Sequence, residues 1–305
     1  MIKYTMAALA LKTFSANALT RGFYRMLGNS YNELRRRSAP GLNYRIERGD
    51  LLMALARKHR AIKHGDRLLE LGTGWMHWYA LYAGLYFDLQ LTGLDIWDNR
   101  QFAGLIATAR KLRDEMVSRG ESADTIARLD RITTSRNWED VYERTHFEYV
   151  IHPKGAITQF SDRSFDSIIS FHVLEHVPRG SVYTLVNDMY RTLEPGACMI
   201  HQIGIDDHLA HYDRSACSKQ YLRYSDRVWQ TLFENELQYI NRLQASEWDR
   251  LFTDAGFQIL ERIAPKKEID LSLIHPQFRH LPKDDFGCTA LTLVLRKPLD
   301  APRKS

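Results

Sequence analysis

Two glycines and two carboxylates have the spacing of a site for a nucleotide-like ligand. Gly72 and Gly74 flank Thr73 directly after an apolar run that contains Glu70. A glycine turn lets a ligand approach the backbone closely, and a helix amino terminus after it favours negative charge. Asp95 lies 21 residues beyond Gly74, where a carboxylate can accept hydrogen bonds from both ribose hydroxyls. The third glycine of the dinucleotide fingerprint is missing, which argues against a nicotinamide cofactor.

A second set of side chains has the chemistry of a proton acceptor. His176 and the adjacent pair Asp207-His208 each follow a predicted buried strand. A histidine ordinarily titrates near pH 6.5, so it can accept a hydroxyl proton, and an adjacent carboxylate can orient it. We therefore predict His208, oriented by Asp207, as the catalytic base, with His176 as the second candidate. Two structural roles compete with this: His176 can order its loop, and Asp207 can cap the next turn.

The segment around this pair also has the composition of a metal site. It supplies three histidines and three carboxylates: His201, Asp206, Asp207, His208, His211 and Asp213. Divalent ions can acidify a hydroxyl group. No thiolate or regular ligand spacing accompanies these residues, and a solvated polar loop explains them better. We therefore predict no metal site.

Apolar runs and amphipathic stretches alternate from residue 66 onward and position these side chains. This pattern predicts strands and helices in turn, which calls for a parallel sheet. The strands are predicted at 67–71, 91–96, 148–151, 165–171, 198–203, 257–263 and 289–295, and the helices at 75–89, 101–119, 181–193 and 246–255. We expect one α/β domain over residues 61–300, with a doubly wound, seven-stranded, mostly parallel sheet. Segments at about 98–149 and 206–244 break the alternation and are predicted insertions over the ligand site.

These motifs resemble those of the class I S-adenosylmethionine-dependent methyltransferases, of the type 11/12-like kind, over residues 66 to about 205. The matching positions are Glu70, Gly72, Gly74, Asp95, Phe165-Asp166, Val173-Leu174-Glu175-His176-Val177 and Leu193-Glu194-Pro195-Gly196. The resemblance implies a Rossmann-like methyltransferase fold and S-adenosyl-L-methionine as cofactor. It also implies that the cofactor is held by ten residues: Glu70, Gly72, Thr73, Gly74, Trp75, Asp95, Ile96, Ile157, Phe171 and His172.

The chain departs from the family pattern at two places. Met76 stands where a third glycine is common, which predicts a bulkier loop. The run 152–157 follows the third strand where an acidic residue usually meets the adenine, so adenine recognition is expected from backbone groups and Ile157. Trp75 and Phe171 could face the sulfonium as they would a cation, although packing in the core is the alternative for Phe171.

Composition excludes several classes of protein. Apolar residues make up 44% and charged residues 26% of the 305 residues, which is typical of a globular chain and not of a disordered one. No apolar stretch approaches the roughly 20 residues that cross a bilayer. The cysteines Cys198, Cys217 and Cys288 are widely spaced, which favours a reducing compartment and a cytoplasmic location.

The first 60 residues form a basic arm, predicted to be helical. They carry a net charge of +9, against −4 for the rest of the chain. Met6, Leu9 and Phe14 recur at roughly helical spacing. An amphipathic helix packed on the domain is the first interpretation. The alternatives are peripheral contact of residues 1–37 with an anionic membrane, or a transit peptide.

The expected function is methyl transfer to a small polar acceptor, such as a hydroxyl of a sugar, glycan or related metabolite. The aromatic and arginine-bearing segment 218–243 is a candidate lid over that acceptor, with an amphipathic helix covering the sheet as its alternative. An RNA methyltransferase and a non-catalytic cofactor-fold protein are the competing functions. The run Arg35-Arg36-Arg37, together with Arg45 and Arg48, is the only argument for RNA. No recognisable RNA-binding module accompanies it, so no nucleic-acid partner is predicted.

Overall fold

A computed structural model describes residues 2–36 and 41–299. Its seven strands form one sheet in the order β3-β2-β1-β4-β5-β7-β6. The strands are β1 (Arg67–Leu71), β2 (Gln90–Asp95), β3 (Phe147–Ile151), β4 (Phe165–Phe171), β5 (Leu193–Gly204), β6 (Gln258–Ile263) and β7 (Ala290–Arg296). Strands β1 to β5 run parallel, and β7 is antiparallel to both β5 and β6. The predicted mostly parallel, seven-stranded α/β fold is therefore confirmed.

Eleven helices are described in these residues. They are α1 (Ile2–Ser15), α2 (Ala18–Arg36), α3 (Leu42–His59), α4 (Trp78–Tyr86), α5 (Phe102–Ser118), α6 (Ala123–Thr133), α7 (Trp138–Thr145), α8 (Arg179–Thr192), α9 (Asp226–Leu232), α10 (Ala245–Asp254) and α11 (Lys283–Gly287). None of the described helices is both long and apolar enough to cross a membrane.

The sheet is covered on both faces. Leu68 on β1 joins one apolar cluster, which includes residues of α3 to α7, whereas its neighbour Leu69 joins a second cluster with residues of α8 and α10. Ile169 and Ile168 divide in the same way on β4. This division follows from the strand period of two, and it explains why the central strands read as continuous apolar runs. The carboxyl ends of β1, β2, β4 and β5 are left to carry polar loops.

The two segments predicted as insertions each have their own structure. Between β2 and β3 the chain forms α5, α6 and α7, so this segment is three helices long where one crossover helix would suffice. Between β5 and α10 it forms short 3₁₀ turns and α9. Here Leu209, Tyr221, Leu222, Trp229 and Phe233 belong to a third apolar cluster, separate from the two on the sheet.

The basic arm does not form a single unit. Helix α1 buries Tyr4, Ala8 and Leu11 in the third cluster, against the second insertion. Helix α3 buries Ile46 and Leu52 in the core of the sheet, so residues 42–59 pack as part of the α/β domain that was predicted to begin at residue 61. The side chains of the Arg35-Arg36-Arg37 run lie outside the described part of the structure.

Candidate active site

The glycine loop between β1 and α4 is tied together by its own side chains. The carboxylate of Glu70 is buried, and one of its oxygens accepts hydrogen bonds from Thr73 Oγ1 at 3.1 Å and from the backbone N–H of Ala80 at 3.0 Å. Burial raises the pKa of Glu70 to about 8, although these hydrogen bonds oppose the shift. Thr73 is buried as well. Both side chains therefore hold the loop in shape, instead of pointing out toward a ligand.

The two glycines of the loop serve different purposes. Both have a φ of +65°, a conformation that side chains other than glycine adopt at a cost of roughly 1–2 kcal/mol. A Cβ on Gly72 would lie 2.3 Å from Val173 Cγ2, so this glycine makes room for protein. A Cβ on Gly74 would find nothing closer than a backbone oxygen at 4.0 Å. The open space beside Gly74 is where a ligand can approach the backbone.

Asp95 ends β2 beside this space. Its Oδ2 accepts a hydrogen bond from the N–H of Gly74 at 2.9 Å, and its Oδ1 accepts one from the N–H of Ile96 at 2.8 Å. Burial raises its pKa, and the two N–H groups oppose that rise. Each carboxylate oxygen keeps a second lone pair, so the group can still accept hydrogen bonds from two ligand hydroxyls. Gly74 and Asp95, which are 21 residues apart in the sequence, are thus in contact in the structure.

His77 is a buried polar residue of the glycine loop that the sequence analysis did not single out. It immediately precedes α4 as its N-cap, has a φ of +50° and is fully buried. Its Nδ1 is 2.8 Å from Thr73 Oγ1, and its Nε2 is 2.9 Å from the hydroxyl of Tyr142 on α7. Burial lowers its pKa to about 3, so the ring is neutral. The first insertion therefore reaches the glycine loop through this histidine. The signal in the sequence was a histidine at the position of a fingerprint glycine.

The remaining predicted cofactor residues differ in exposure. Trp75 and Ile96 are 37% and 47% exposed, so both can contact a ligand directly. Phe171 stacks on Tyr79 with ring centroids 3.8 Å apart, as the alternative of core packing expects. Ile157 has no exposed surface and lies in the second apolar cluster of the sheet, so its side chain offers no accessible surface to a ligand in this structure.

Glu175 is a buried acidic group at the ends of β4 and β5. It is 2% exposed, and its Oε1 accepts hydrogen bonds from the N–H of Gly204 and from His172 Nδ1, both at 3.0 Å. A Cβ on Gly204 would lie 2.5 Å from that oxygen, so the glycine that ends β5 makes room for the carboxylate. Burial raises the pKa of Glu175, but the hydrogen bond from His172 and the charge of His176 outweigh it and lower the pKa overall. The other oxygen, Oε2, is buried and lacks a hydrogen-bond partner within the described residues.

Two histidines complete this corner of the site. His176 Nδ1 lies 2.7 Å from the carbonyl oxygen of Tyr239, which requires Nδ1 to donate and leaves Nε2 with a free lone pair when the ring is neutral. The ring of His208 lies 5.0 Å from that of His176. Burial lowers the pKa of His208 to about 4, and the charge of His176 adds to this. The ligand atoms of Glu175, His176 and His208 all lie within 4.8 Å of one another. We call these three residues the EHH cluster.

Asp207 does not orient His208 by a hydrogen bond in the structure. Its Oδ2 accepts a hydrogen bond from the hydroxyl of Tyr4 at 2.7 Å, and its Oδ1 accepts one from the N–H of Leu209 at 2.9 Å. Burial raises its pKa to about 6. The carboxylate thus caps the 3₁₀ turn His208–Tyr212 and anchors α1, which is the structural role left open by the sequence.

The six-residue metal composition seen in the sequence does not come together as one group. His201 is buried in the sheet, where its Nδ1 lies 2.8 Å from Ser170 Oγ and its ring stacks on Phe252. His211 is hydrogen-bonded to Asp206 at 2.7 Å. Of the six residues, His208 alone belongs to the EHH cluster, and its two partners there were not among them.

Comparisons with known proteins identify the family of the chain. A family model described as a methyltransferase domain matches residues 41–262. A SAM-dependent methyltransferase from Methanosarcina mazei is similar in structure, with 17% identity and a TM-score of 0.46, over 79% of this chain and 97% of that one. A putative sarcosine dimethylglycine methyltransferase from Galdieria sulphuraria has 12% identity and a TM-score of 0.48, with 83% and 86% covered.

A third similar structure is phosphoethanolamine N-methyltransferase 2 of Haemonchus contortus with S-adenosyl-L-methionine. It has 15% identity and a TM-score of 0.47, over 82% of this chain and 52% of that one. A search of curated proteins finds no match. The family assignment rests on the match of the family model to most of the chain. The chain therefore belongs to the methyltransferase-domain family and is an S-adenosylmethionine-dependent methyltransferase.

Proposed function

We propose that this methyltransferase acts on a hydroxyl group of a small polar acceptor, such as a sugar, a glycan or a related metabolite. The observation that carries the proposal is the EHH cluster. It places a buried carboxylate and two imidazoles at the carboxyl ends of β4 and β5. An alcohol is a weak nucleophile until it loses its proton, so an oxygen acceptor needs groups of this kind beside it.

The residues of the glycine loop fit the cofactor. The space beside Gly74 would accommodate the methionine part, and Asp95 would accept hydrogen bonds from the ribose hydroxyls. Glu70, Thr73 and His77 would position the loop from behind, because their polar atoms are engaged with one another and with α7. When bound, the cofactor supplies a methyl group attached to a sulfonium sulfur. Attack of the acceptor on the methyl carbon, in line with the carbon–sulfur bond, would release the sulfur as an uncharged thioether.

The histidines of the EHH cluster would handle the acceptor's proton. With Nδ1 of His176 held by the carbonyl of Tyr239, its Nε2 is available to accept a proton or a hydrogen bond. No hydrogen bond to the ring nitrogens of His208 is formed within the described part of the chain, so this ring is equally available. Glu175, which lies beside both, would stabilise the positive charge that develops on an imidazole.

The test of the proposal is a search for the acceptor. Release of S-adenosylhomocysteine would be measured with the full chain across nucleotide sugars, glycans, polar lipids and structured RNA, and the methylated atom would be located by NMR. We expect an O-methylated small molecule. His208→Ala should then slow turnover by roughly 100- to 10,000-fold while leaving cofactor affinity unchanged. Methylation of a nitrogen or of RNA, or cofactor binding without turnover on any acceptor, would overturn the proposal.

A further inference from the structure

We propose that the EHH cluster binds a divalent transition-metal cation, which activates the acceptor hydroxyl. The inference rests on the proposed function, because it names how that same site deprotonates an alcohol. Two imidazoles and one carboxylate are a ligand set that Zn²⁺ and Fe²⁺ use with open positions left for a substrate oxygen. The site differs from the one considered in the sequence, since it takes two of its three residues from the loop after β4.

The first argument is the lone pairs. The carbonyl of Tyr239 fixes the Nδ1–H tautomer of neutral His176, which is how metal-binding histidines are commonly oriented by a second hydrogen bond. Glu175 Oε1 is occupied by the N–H of Gly204 and by His172, so Oε2 is the oxygen left over. That oxygen is buried and has no partner among the described residues. A buried carboxylate oxygen without a partner is costly, and a cation would satisfy it.

The second argument is distance and burial. The three ligand atoms lie within 4.8 Å of one another, whereas ligands at about 2.1 Å from a tetrahedral ion are about 3.4 Å apart. The widest pair must therefore close by at most about 1.4 Å. Glu175 is held by the N–H of Gly204 and by His172, and His176 by the carbonyl of Tyr239. His208 makes no hydrogen bond through its ring nitrogens within the described residues, so it is the member that can move most easily.

The chemistry of the step balances without a redox partner. The cation lowers the pKa of the bound hydroxyl, and the proton leaves to solvent. The oxygen then forms the bond to the methyl carbon, and the electron pair of the broken carbon–sulfur bond stays on sulfur. The histidines act as ligands in this step and no longer as the direct proton acceptors.

Metal affinity is measured first, without any acceptor. Full-length protein treated with chelator and then dialysed would be titrated with Zn²⁺ by calorimetry and with Co²⁺ by visible absorption. We expect one ion per chain and a Co²⁺ spectrum typical of tetrahedral or five-coordinate nitrogen and oxygen ligands. Glu175→Gln, which keeps the shape of the side chain, and His208→Ala should each weaken binding by at least tenfold. The neighbouring His211→Ala, outside the cluster, is the matched control and should bind as the parent does.

The outcomes separate this inference from the proposed function. No stoichiometric binding, or an equal loss of affinity in His211→Ala, would overturn the metal site whatever the acceptor is. O-methylation that proceeds at the parent rate in excess EDTA would overturn it as well, while leaving the hydroxyl acceptor standing. Tight binding abolished by Glu175→Gln in a protein that methylates a nitrogen would instead remove the proposed function and keep the cation site.

Helix α2 carries an independent feature that we infer to be a surface for an anionic membrane. Leu19, Phe23, Met26, Leu27 and Tyr31 recur at helical spacing and are between 51% and 87% exposed. None of the described side chains of this helix is buried. An uncovered apolar stripe of this kind marks an interaction surface. We call these five residues the α2 stripe.

Charge identifies the lipid surface as the occupant. Residues 2–36 contain six lysines and arginines and one glutamate, Glu33. Amphipathic helices with a basic polar side and exposed leucine and phenylalanine lie in the interface of anionic bilayers. A surface for a second copy of this chain would instead have to bring two basic helices together, which charge repulsion opposes.

The test uses vesicles of phosphatidylcholine with and without phosphatidylglycerol. We expect the full chain to sediment with the anionic vesicles, and retention to fall with rising salt. Phe23→Glu with Leu27→Glu should abolish retention, whereas Tyr183→Glu, at a residue 60% exposed on α8, should not. Absence of retention on anionic vesicles, or a dimer in solution that the double variant makes monomeric, would overturn the inference.

Discussion

The buried carboxylate of Glu70 gives the molecule a pH dependence of stability that belongs to one residue. Its pKa in the folded protein is about 8, above the ordinary value near 4.5. Folding therefore favours the protonated form, and the free energy of unfolding should fall as pH rises from about 5 to 8. Glu70→Gln cannot ionise and keeps an oxygen for Thr73 and Ala80. The free energy of unfolding of the variant, relative to that of the parent, should rise by roughly 3–5 kcal/mol between pH 5 and pH 8. Chemical denaturation across this range measures the difference.

Glu148→Gln, at an exposed residue of β3, is the control and should follow the parent curve. Parallel curves for Glu70→Gln and the parent would show that Glu70 is already ionised in the folded protein at low pH. The sequence places this glutamate in the motif correctly. It does not reveal the inward orientation, because a carboxylate at the end of a strand can turn to a ligand or to its own loop.

The two glycines of the loop predict two separable defects. Gly72→Ala should lower the free energy of unfolding by about 2–4 kcal/mol, because a Cβ there meets Val173 and the backbone is left-handed. The double variant Gly72→Ala with Val173→Ala should recover part of that loss. Gly74→Ala should lower the free energy of unfolding by only about 1–2 kcal/mol. It should weaken the binding of S-adenosylhomocysteine by at least tenfold, because the added methyl group enters the open space that the ligand would occupy. Calorimetry and denaturation on the three proteins decide this, and equal defects in the two single variants would contradict it.

At the scale of elements, the sequence predicts the presence of a helix more accurately than it predicts which face of the helix is buried. Helix α1 is apolar on two sides: Met6 and Leu9, which the spacing singles out, are exposed, whereas Tyr4, Ala8 and Leu11 are buried. Both sets recur at helical spacing, so periodicity alone could not choose between them. The choice is made by Tyr4, whose hydroxyl donates to Asp207, and by the apolar cluster beneath it. Tertiary contacts far apart in the sequence decide such cases.

Helix α1 should loosen when this hydroxyl is removed. Tyr4→Phe leaves Asp207 Oδ2 without its donor in a buried position, at an expected cost of about 1–3 kcal/mol. The loss should appear as faster amide hydrogen exchange in α1 and in the turn His208–Tyr212, which Asp207 caps. Tyr31→Phe, at a residue 68% exposed on α2, is the control. Unchanged exchange in both segments would mean that apolar packing alone holds α1.

At the scale of the whole molecule, different apolar clusters hold different parts of the site in place. The two clusters on the sheet carry the glycine loop and Asp95, whose positions in the chain could be predicted from strand order and motif spacing. The third cluster carries the turn that bears His208. The EHH cluster spans this division, since Glu175 and His176 follow β4. Its assembly could not be predicted, because it depends on how the second insertion folds back under α1.

Removal of residues 1–17 should therefore separate the two functions of the site. Cofactor binding should stay within about threefold of the parent, because the loop at Gly74 and the carboxylate of Asp95 are held by β1, β2 and α7. Without α1, Leu209 and Phe233 lose apolar packing, and Asp207 loses the hydrogen bond from Tyr4. His208 is then no longer held beside His176, so acceptor turnover should fall by at least 100-fold. Calorimetry with S-adenosylhomocysteine measures cofactor binding, and release of S-adenosylhomocysteine in the presence of the acceptor measures turnover. Hydrogen exchange over the turn His208–Tyr212 reports whether that turn is still held. If the truncated chain loses cofactor affinity as well, α1 must support the glycine loop across the division between the clusters. If it keeps parent turnover, the second insertion folds without α1, and α1 is not needed to hold His208 beside His176.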